Sequence, residues 1–193
     1  MDNEKKEFSK RDLVVYVSGK YTTGDVEANI AAARNTAIDI WNGGYVALCP
    51  HLNMQHFDRD SKCEYEEFMK GSLVLLDKSG AIFMLEGWED SPGAKIELEH
   101  AISHRIAVVF NMEQLDALYE VVELGMSLAL TYGAPWLIPN EESKKVSEKS
   151  NAYLSLLPKG IADRLVLNDE INLDDILEKE VVTIPGEGSI KEE

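Results

Sequence analysis

Cysteine is scarce in this sequence: Cys49 and Cys63 are two residues among 193, and they stand in no metal-ligand or redox spacing. A disulfide scaffold and a cysteine-based zinc ribbon are thereby excluded, and both residues are expected as structural thiols in a reducing cytoplasm. No apolar run approaches a membrane span, and the polar, charged start from Met1 to Arg11 does not read as a secretory leader. Positive charge is also thin. Nineteen Lys and Arg stand against 35 Asp and Glu, giving a net charge of −16, with the larger excess beyond Phe110. Such a surface repels polyanions and argues against a nucleic-acid polymer as partner. One phosphate is not excluded, because a few backbone N–H groups can hold it against an adverse field.

Hydrophobic residues make up 45% of the chain, enough for a real core. Leu13–Val17, Tyr45–Cys49, Ala81–Leu85 and Ile106–Phe110 are short apolar, mostly β-branched runs and read as strands. Between them lie helical patterns. The first has Asp25 as N-cap and Ile30, Ala33, Ala37, Ile38 and Trp41 on its apolar side, and Asn42-Gly43-Gly44 stops it. The second spans Glu64 to Lys78, and the third opens near Gly93 and runs to about Ser103. The stretch His51 to Lys62 reads as a polar loop.

Strand–helix alternation with short connections predicts a parallel sheet covered on both faces. The expected fold is α/β: a flavodoxin- or Rossmann-like doubly wound sheet of about five strands, with a C-terminal extension. Trp136-Leu137-Ile138-Pro139 is the candidate fifth strand. Before it, Met112, Leu115, Tyr119, Val122 and Met126 follow helical spacing, and Leu118, Val121 and Leu128 add a second apolar stripe. So wide an apolar surface suggests a helix covered on two sides, one of them a subunit contact. The expected divisions are a flexible arm over 1–11, the α/β domain over 12–139 and an acidic, partly flexible extension over 140–193.

The chemistry-bearing residues gather where the third strand ends. Ser91-Pro92-Gly93-Ala94-Lys95-Ile96-Glu97 follows that strand and opens a helix. In an open α/β sheet this is the edge where ligands bind. Glu97 there can serve as a nucleophile at an anomeric carbon, or it is an ordinary surface glutamate. Ser18 to Gly24, after the first strand, can cradle a phosphate or sugar, or is a plain connection. It is neither G-x-x-x-x-G-K-[ST] nor G-x-G-x-x-G.

His51 and His56 lack the spacing of a zinc helix, so no metal is expected, and a place lining a base pocket suits them better. His100 and His104 lie one helical turn apart with no third ligand evident, and are expected as solvated positions. Trp88 can stack on a nucleobase or plug the sheet edge. Asp90 can take a sugar hydroxyl or merely make a turn.

Taken in order, Tyr16-Val17-Ser18-Gly19, Asp25-Val26-Glu27-Ala28-Asn29, Cys49-Pro50-His51-Leu52-Asn53, Leu85-Glu86-Gly87-Trp88 and Ser91 to Glu97 carry a resemblance. From about Val14 to Phe110 the chain resembles the nucleoside 2-deoxyribosyltransferase superfamily, which includes 2′-deoxynucleoside 5′-monophosphate N-glycosidases. It leans toward a phage or bacterial branch. The resemblance implies a flavodoxin-like sheet and a homodimer or higher homo-oligomer in which a neighbouring subunit lends residues to the site. It also implies cleavage or transfer at the N-glycosidic bond of a nucleoside or nucleotide, with no cofactor. Glu97 falls on the family's nucleophile. Ser91 falls where a serine holds a 5′-phosphate in the monophosphate hydrolases and an aspartate grips the 5′-hydroxyl in the transferases. Tyr16, Ser18, Gly19, His51, Asn53, Trp88, Asp90 and Gly93 fall among the substrate-lining positions.

One departure stands out. The helix aspartate that often assists proton transfer to the leaving base falls at about Ser72, so the acid would come from Glu67, Asp90 or a histidine. Without such a group, the alternative is a nucleotide-binding or sensing protein of the same fold.

Overall fold

The computed structural model describes residues 8–133 and 138–167. Four parallel strands form one sheet: β1 (Val14–Ser18), β2 (Val46–Leu48), β3 (Ala81–Met84) and β4 (Ala107–Val109), in the order β2-β1-β3-β4. Each lies inside its expected run, apart from Ser18, which extends the first by one residue. β1 and β3 are central. Val15, Tyr16, Val17, Ala81, Ile82 and Met84 are almost wholly buried, as continuous apolar runs between two helical layers require. The chain leaves β1 toward β2 on one side, then crosses to β3 on the other. The crevice beyond the C-terminal ends of β1 and β3 is therefore the switch point of the sheet.

Local signals set the helices. Helix α1 (Val26–Asn42) begins where the Asp25 carboxylate accepts the Ala28 N–H, and it ends at Gly43-Gly44. The expected loop after β2 instead holds two single-turn helices, α2 (Pro50–Asn53) and α3 (Phe57–Asp60). Pro50 at the first helical position lacks only an N–H that would be unpaired anyway, so polarity did not preclude a helical turn there. Helix α4 (Tyr65–Leu76) follows, then β3, then α5 (Pro92–Ser103). Ser91 caps α5, its Oγ accepting the Ala94 N–H at 3.2 Å, and Pro92 occupies the first turn. After β4, α6 (Met112–Tyr132) starts on an Asn111 cap and stops at Gly133, whose φ of 76° is the left-handed ending that glycine takes without strain.

The two-sided apolar character of α6 is met within the chain. One side packs on β4 and the other on α7 (Asn140–Leu156), although Met126 and Leu130 stay exposed. The polar stretch after Pro139 is thus helical, and Tyr153 and Leu157 join the core with Ile161 of α8 (Lys159–Leu167). The Arg164 guanidinium of α8 holds the Glu99 carboxylate of α5 with both nitrogens. Ahead of β1, residues 8–12 are tied down: Phe8 stacks on Tyr119, Lys10 pairs with Asp116 and Arg11 donates to the Tyr45 carbonyl. Residues 1–7, Trp136 and Leu137 of the candidate fifth strand, and the acidic stretch from Asn168 lie outside the described residues. Ile138 and Pro139 are not in a strand.

β4 is the last strand of the sheet among the described residues, and Tyr153 donates its phenol to the Val108 carbonyl at 2.7 Å. Tyr153→Phe should therefore leave a buried acceptor unpaired. We expect a loss of about 1–2 kcal/mol in urea unfolding with an unchanged m-value; a change below about 0.3 kcal/mol would count against this bond as a fastener.

Candidate active site

Glu97 sits in the second turn of α5, and its side chain turns inward toward the end of β1. It is 8% exposed. Both carboxylate oxygens are held by hydroxyls of β1: Tyr16 donates to Oε1 at 2.6 Å and Ser18 donates to Oε2 at 2.5 Å. Tyr16 and Ser18 are two apart on a strand and so point to the same face, here the face on which α5 packs. The reading of Glu97 as an ordinary surface glutamate is thus overturned.

Burial pushes the Glu97 carboxyl above the usual glutamate range, while the hydroxyls of Ser18 and Tyr16 pull the other way by bonding the charged form. Tyr16 is itself driven far up, first by burial and then by the neighbouring carboxylate, so its phenol stays protonated and can only donate to Glu97. Behind it, the buried Ser72 hydroxyl of α4 also reaches the phenol. Ser72 therefore supports Tyr16, and no carboxylate occupies its place.

Close approaches shape the rim. A Cβ on Gly19 would lie 2.7 Å from Cδ1 of Leu85, so the loops after β1 and β3 interlock only because Gly19 has no side chain. A Cβ on Gly93 would lie 3.0 Å from the Met69 methyl and 3.1 Å from the Tyr65 hydroxyl. Those two residues of α4 thus overlie the first turn of α5. The Tyr65 phenol is raised by partial burial and then by the Glu97 charge, so it lies within electrostatic reach of the carboxylate while remaining 51% exposed. Tyr65 was legible in the sequence only as one of several apolar residues on a helix side.

Of the other expected site residues, His51 of α2 and Asp90 after β3 contact Lys20 on the loop after β1. His51 is buried; its Nε2 lies 2.8 Å from the Lys20 carbonyl and its ring is edge-on to Tyr21. Burial lowers its affinity for a proton, so the ring is neutral near pH 7 and Nε2 carries the hydrogen. Nδ1 is then a buried acceptor without a partner among the described residues. Lys20 pairs with Asp90 at 2.8 Å across the rim. Trp88 packs against Phe110 with ring centroids 6.4 Å apart, which favours its role as a plug of the sheet edge. Asn53 is exposed at the end of α2, and Cys63 is exposed while Cys49 is buried.

Two of the expected sources of a proton, Glu67 and Asp90, are engaged elsewhere. Glu67 accepts the Glu64 N–H that starts α4, and Asp90 faces Lys20. Two surface hollows, of about 330 Å³ between α5 and α8 and about 470 Å³ along α6 and α7, are lined by charged side chains and do not include Glu97.

The class defined by this arrangement is an open α/β protein with a buried carboxylate, clasped by two hydroxyls, at the switch point of a parallel sheet. The chain belongs to the family described as Domain of unknown function (DUF4406), whose profile matches residues 13–110. That span runs from the residue before β1 to the residue after β4 and contains every site residue named above. Neither the curated proteins nor the solved structures give a match.

Because the folded-state pKa of Glu97 lies above its unfolded value, ionisation of this carboxyl opposes folding. Its stabilising contribution is present below the unfolded pKa and is lost as pH rises through the folded one. Glu97→Gln should therefore raise stability at pH 7.5, and the gain should shrink as pH falls and vanish once the wild-type carboxyl is protonated in both states. Thermal unfolding of both proteins across that range measures it; a variant less stable than wild type at pH 7.5 refutes the assignment.

Proposed function

We propose that the protein cleaves or exchanges the N-glycosidic bond of a (deoxy)nucleoside or its 5′-monophosphate, with Glu97 as nucleophile. The observation carrying this reading is the clasped Glu97 carboxylate at the switch point. A surface ion pair has no need of such a setting, whereas a nucleophile gains from being fixed and partly desolvated. The sequence resemblance to the nucleoside 2-deoxyribosyltransferase superfamily supports this reading, since it implies the same role for Glu97.

One Glu97 oxygen attacks C1′ from the face opposite the base. The C1′–N bond breaks, its electron pair leaves with the base nitrogen, and a glycosyl ester forms on Glu97. The base nitrogen takes a proton from a histidine or from solvent, since Ser72 carries no acid and Glu67 and Asp90 are engaged. Water or a second base then attacks C1′ and releases the carboxylate. Tyr16 and Ser18 hold the carboxylate in one orientation before attack and take back its charge on release. Ser91, Gly93 and the start of α5 supply the hydroxyl and backbone N–H groups suited to a 5′-oxygen or phosphate. A soluble homo-oligomer in the cytoplasm, acting on small molecules, completes the proposal; no helix among the described residues is long and apolar enough to cross a membrane.

A specific observation favours one second reading, a nucleotide-binding or sensing protein without turnover. Where the superfamily often has an aspartate stands Ser72, buried and turned to Tyr16, and loss of such proton transfer slows chemistry by about 10²–10⁴-fold. Incubation with a panel of nucleosides and 5′-monophosphates, followed by chromatography for free base, separates the two. Wild type should release base and Glu97→Ala should be slower by about 10³-fold or more. Saturable nucleotide binding with no base release establishes the second reading instead.

The pH profile gives an independent check. Tyr16 stabilises the ionised form of Glu97, so its removal raises that pKa further. In Tyr16→Phe the acid limb of kcat/KM should move to higher pH, in addition to any loss of rate. An unmoved or lowered limb would exclude Glu97 as the group titrating there.

A further inference from the structure

At the far end of the α4–α5 pair, the chain brings together Asp77, His100 and His104. One donor atom from each lies within 4.8 Å of the others. His100 Nε2 is 2.6 Å from Asp77 Oδ1, and the two imidazoles stack with centroids 3.8 Å apart. His100 and His104 share a face of α5 at one-turn spacing, while Asp77 caps α4 from 23 residues earlier in the chain. The third ligand was therefore invisible in sequence, and the helical pair alone read as two solvated histidines.

Three features distinguish this cluster from a chance meeting of surface groups. Asp77 and His104 are the C-caps of α4 and α5, so two helix ends with partial negative charge converge on the cluster and favour a cation there. An aspartate is the wrong sign for a helix C-terminus and calls for a positive partner. His104 Nδ1 lies 2.9 Å from the His100 carbonyl, and that bond fixes Nδ1 as the protonated nitrogen and leaves Nε2 as the electron-pair donor. A backbone carbonyl orienting an imidazole in this way is the usual support of a metal-ligating histidine. Lys78 follows Asp77 in sequence, and its charge opposes a cation.

We propose that Asp77, His100 and His104 form a binding site for a divalent transition ion of the zinc class, with two imidazole nitrogens, one carboxylate oxygen and a water as ligands. A tetrahedral ion with bonds of about 2.0–2.2 Å draws its donors to about 3.3–3.6 Å apart, a closure that side-chain torsions supply. The incoming ion displaces the proton shared by His100 Nε2 and Asp77, which leaves to solvent. The bound ion pins the end of α4 to the end of α5, the helix whose other end carries Glu97. This site is independent of any glycosidic chemistry.

The test uses the untagged full chain stripped with chelator, then titrated with zinc chloride by calorimetry and with cobalt chloride by visible absorption. One saturable equivalent, cobalt bands of four-coordinate intensity, and a Tm rise of about 5–10 °C at a hundredfold excess over Kd are expected. His100→Ala, His104→Ala and Asp77→Asn should each weaken binding at least about tenfold. In the wild-type chain, zinc should also protect His100 and His104, but not His56, from diethyl pyrocarbonate. Absence of saturable uptake overturns the site, as does uptake that persists unchanged in all three variants or protection that spares these two histidines.

Discussion

A carboxylate removed from water constrains everything around it. Glu97 lies almost wholly inside the protein, and a lone buried charge of this kind is tolerated only where donors surround it. Those donors come from β1, not from its own helix, so the first turns of α5 must lie against the end of β1. That contact requires β3 to sit beside β1, which the strand order provides. It also requires the loops beyond both strands to pass close together, which the bare backbone of Gly19 against Leu85 permits. Ser72 of α4 is buried near the Tyr16 phenol. The site is a consequence of strand order as much as of side-chain chemistry.

How much of this could be read from the sequence follows from which forces are local. The strands were legible because a parallel strand buried on both faces is an uninterrupted apolar run, as Ala81 to Leu85 shows. Glu97 was legible through its place after such a run, together with the small residues Ser91 and Gly93. Tyr16 and Ser18 were legible as positions near the site. Their common task of clasping one carboxylate was not, because their partner lies about eighty residues away. Tyr65 and Lys20 were missed for the same reason: a helix residue with 3–4 spacing and a loop lysine carry no mark of what faces them. His51 was legible as a residue following the second strand, but its anchoring to the Lys20 carbonyl depends on a helical turn that a polar composition concealed.

The chain's acidity is balanced locally at several points that connect distant elements. Lys10 meets Asp116, Lys20 meets Asp90, Lys149 meets Glu120 and Arg164 meets Glu99. Each pair is largely exposed and contributes little to stability by itself. Their value is positional. Lys20 and Asp90 link the loop after β1 to the turn before α5, and Arg164 ties the last described helix to the helix bearing Glu97. In a molecule with so few cations, their use at joints between elements leaves most of the acidic charge unneutralised.

The phenol of Tyr153 on β4, an edge strand among the described residues, has a bearing beyond this one molecule. A strand with vacant hydrogen-bonding groups along its flank invites a neighbour's strand to add on, the route by which sheets propagate from chain to chain. Here an aromatic side chain from α7 already fills a place on that flank. A strand from a second copy that pairs at Val108 would first have to displace this phenol.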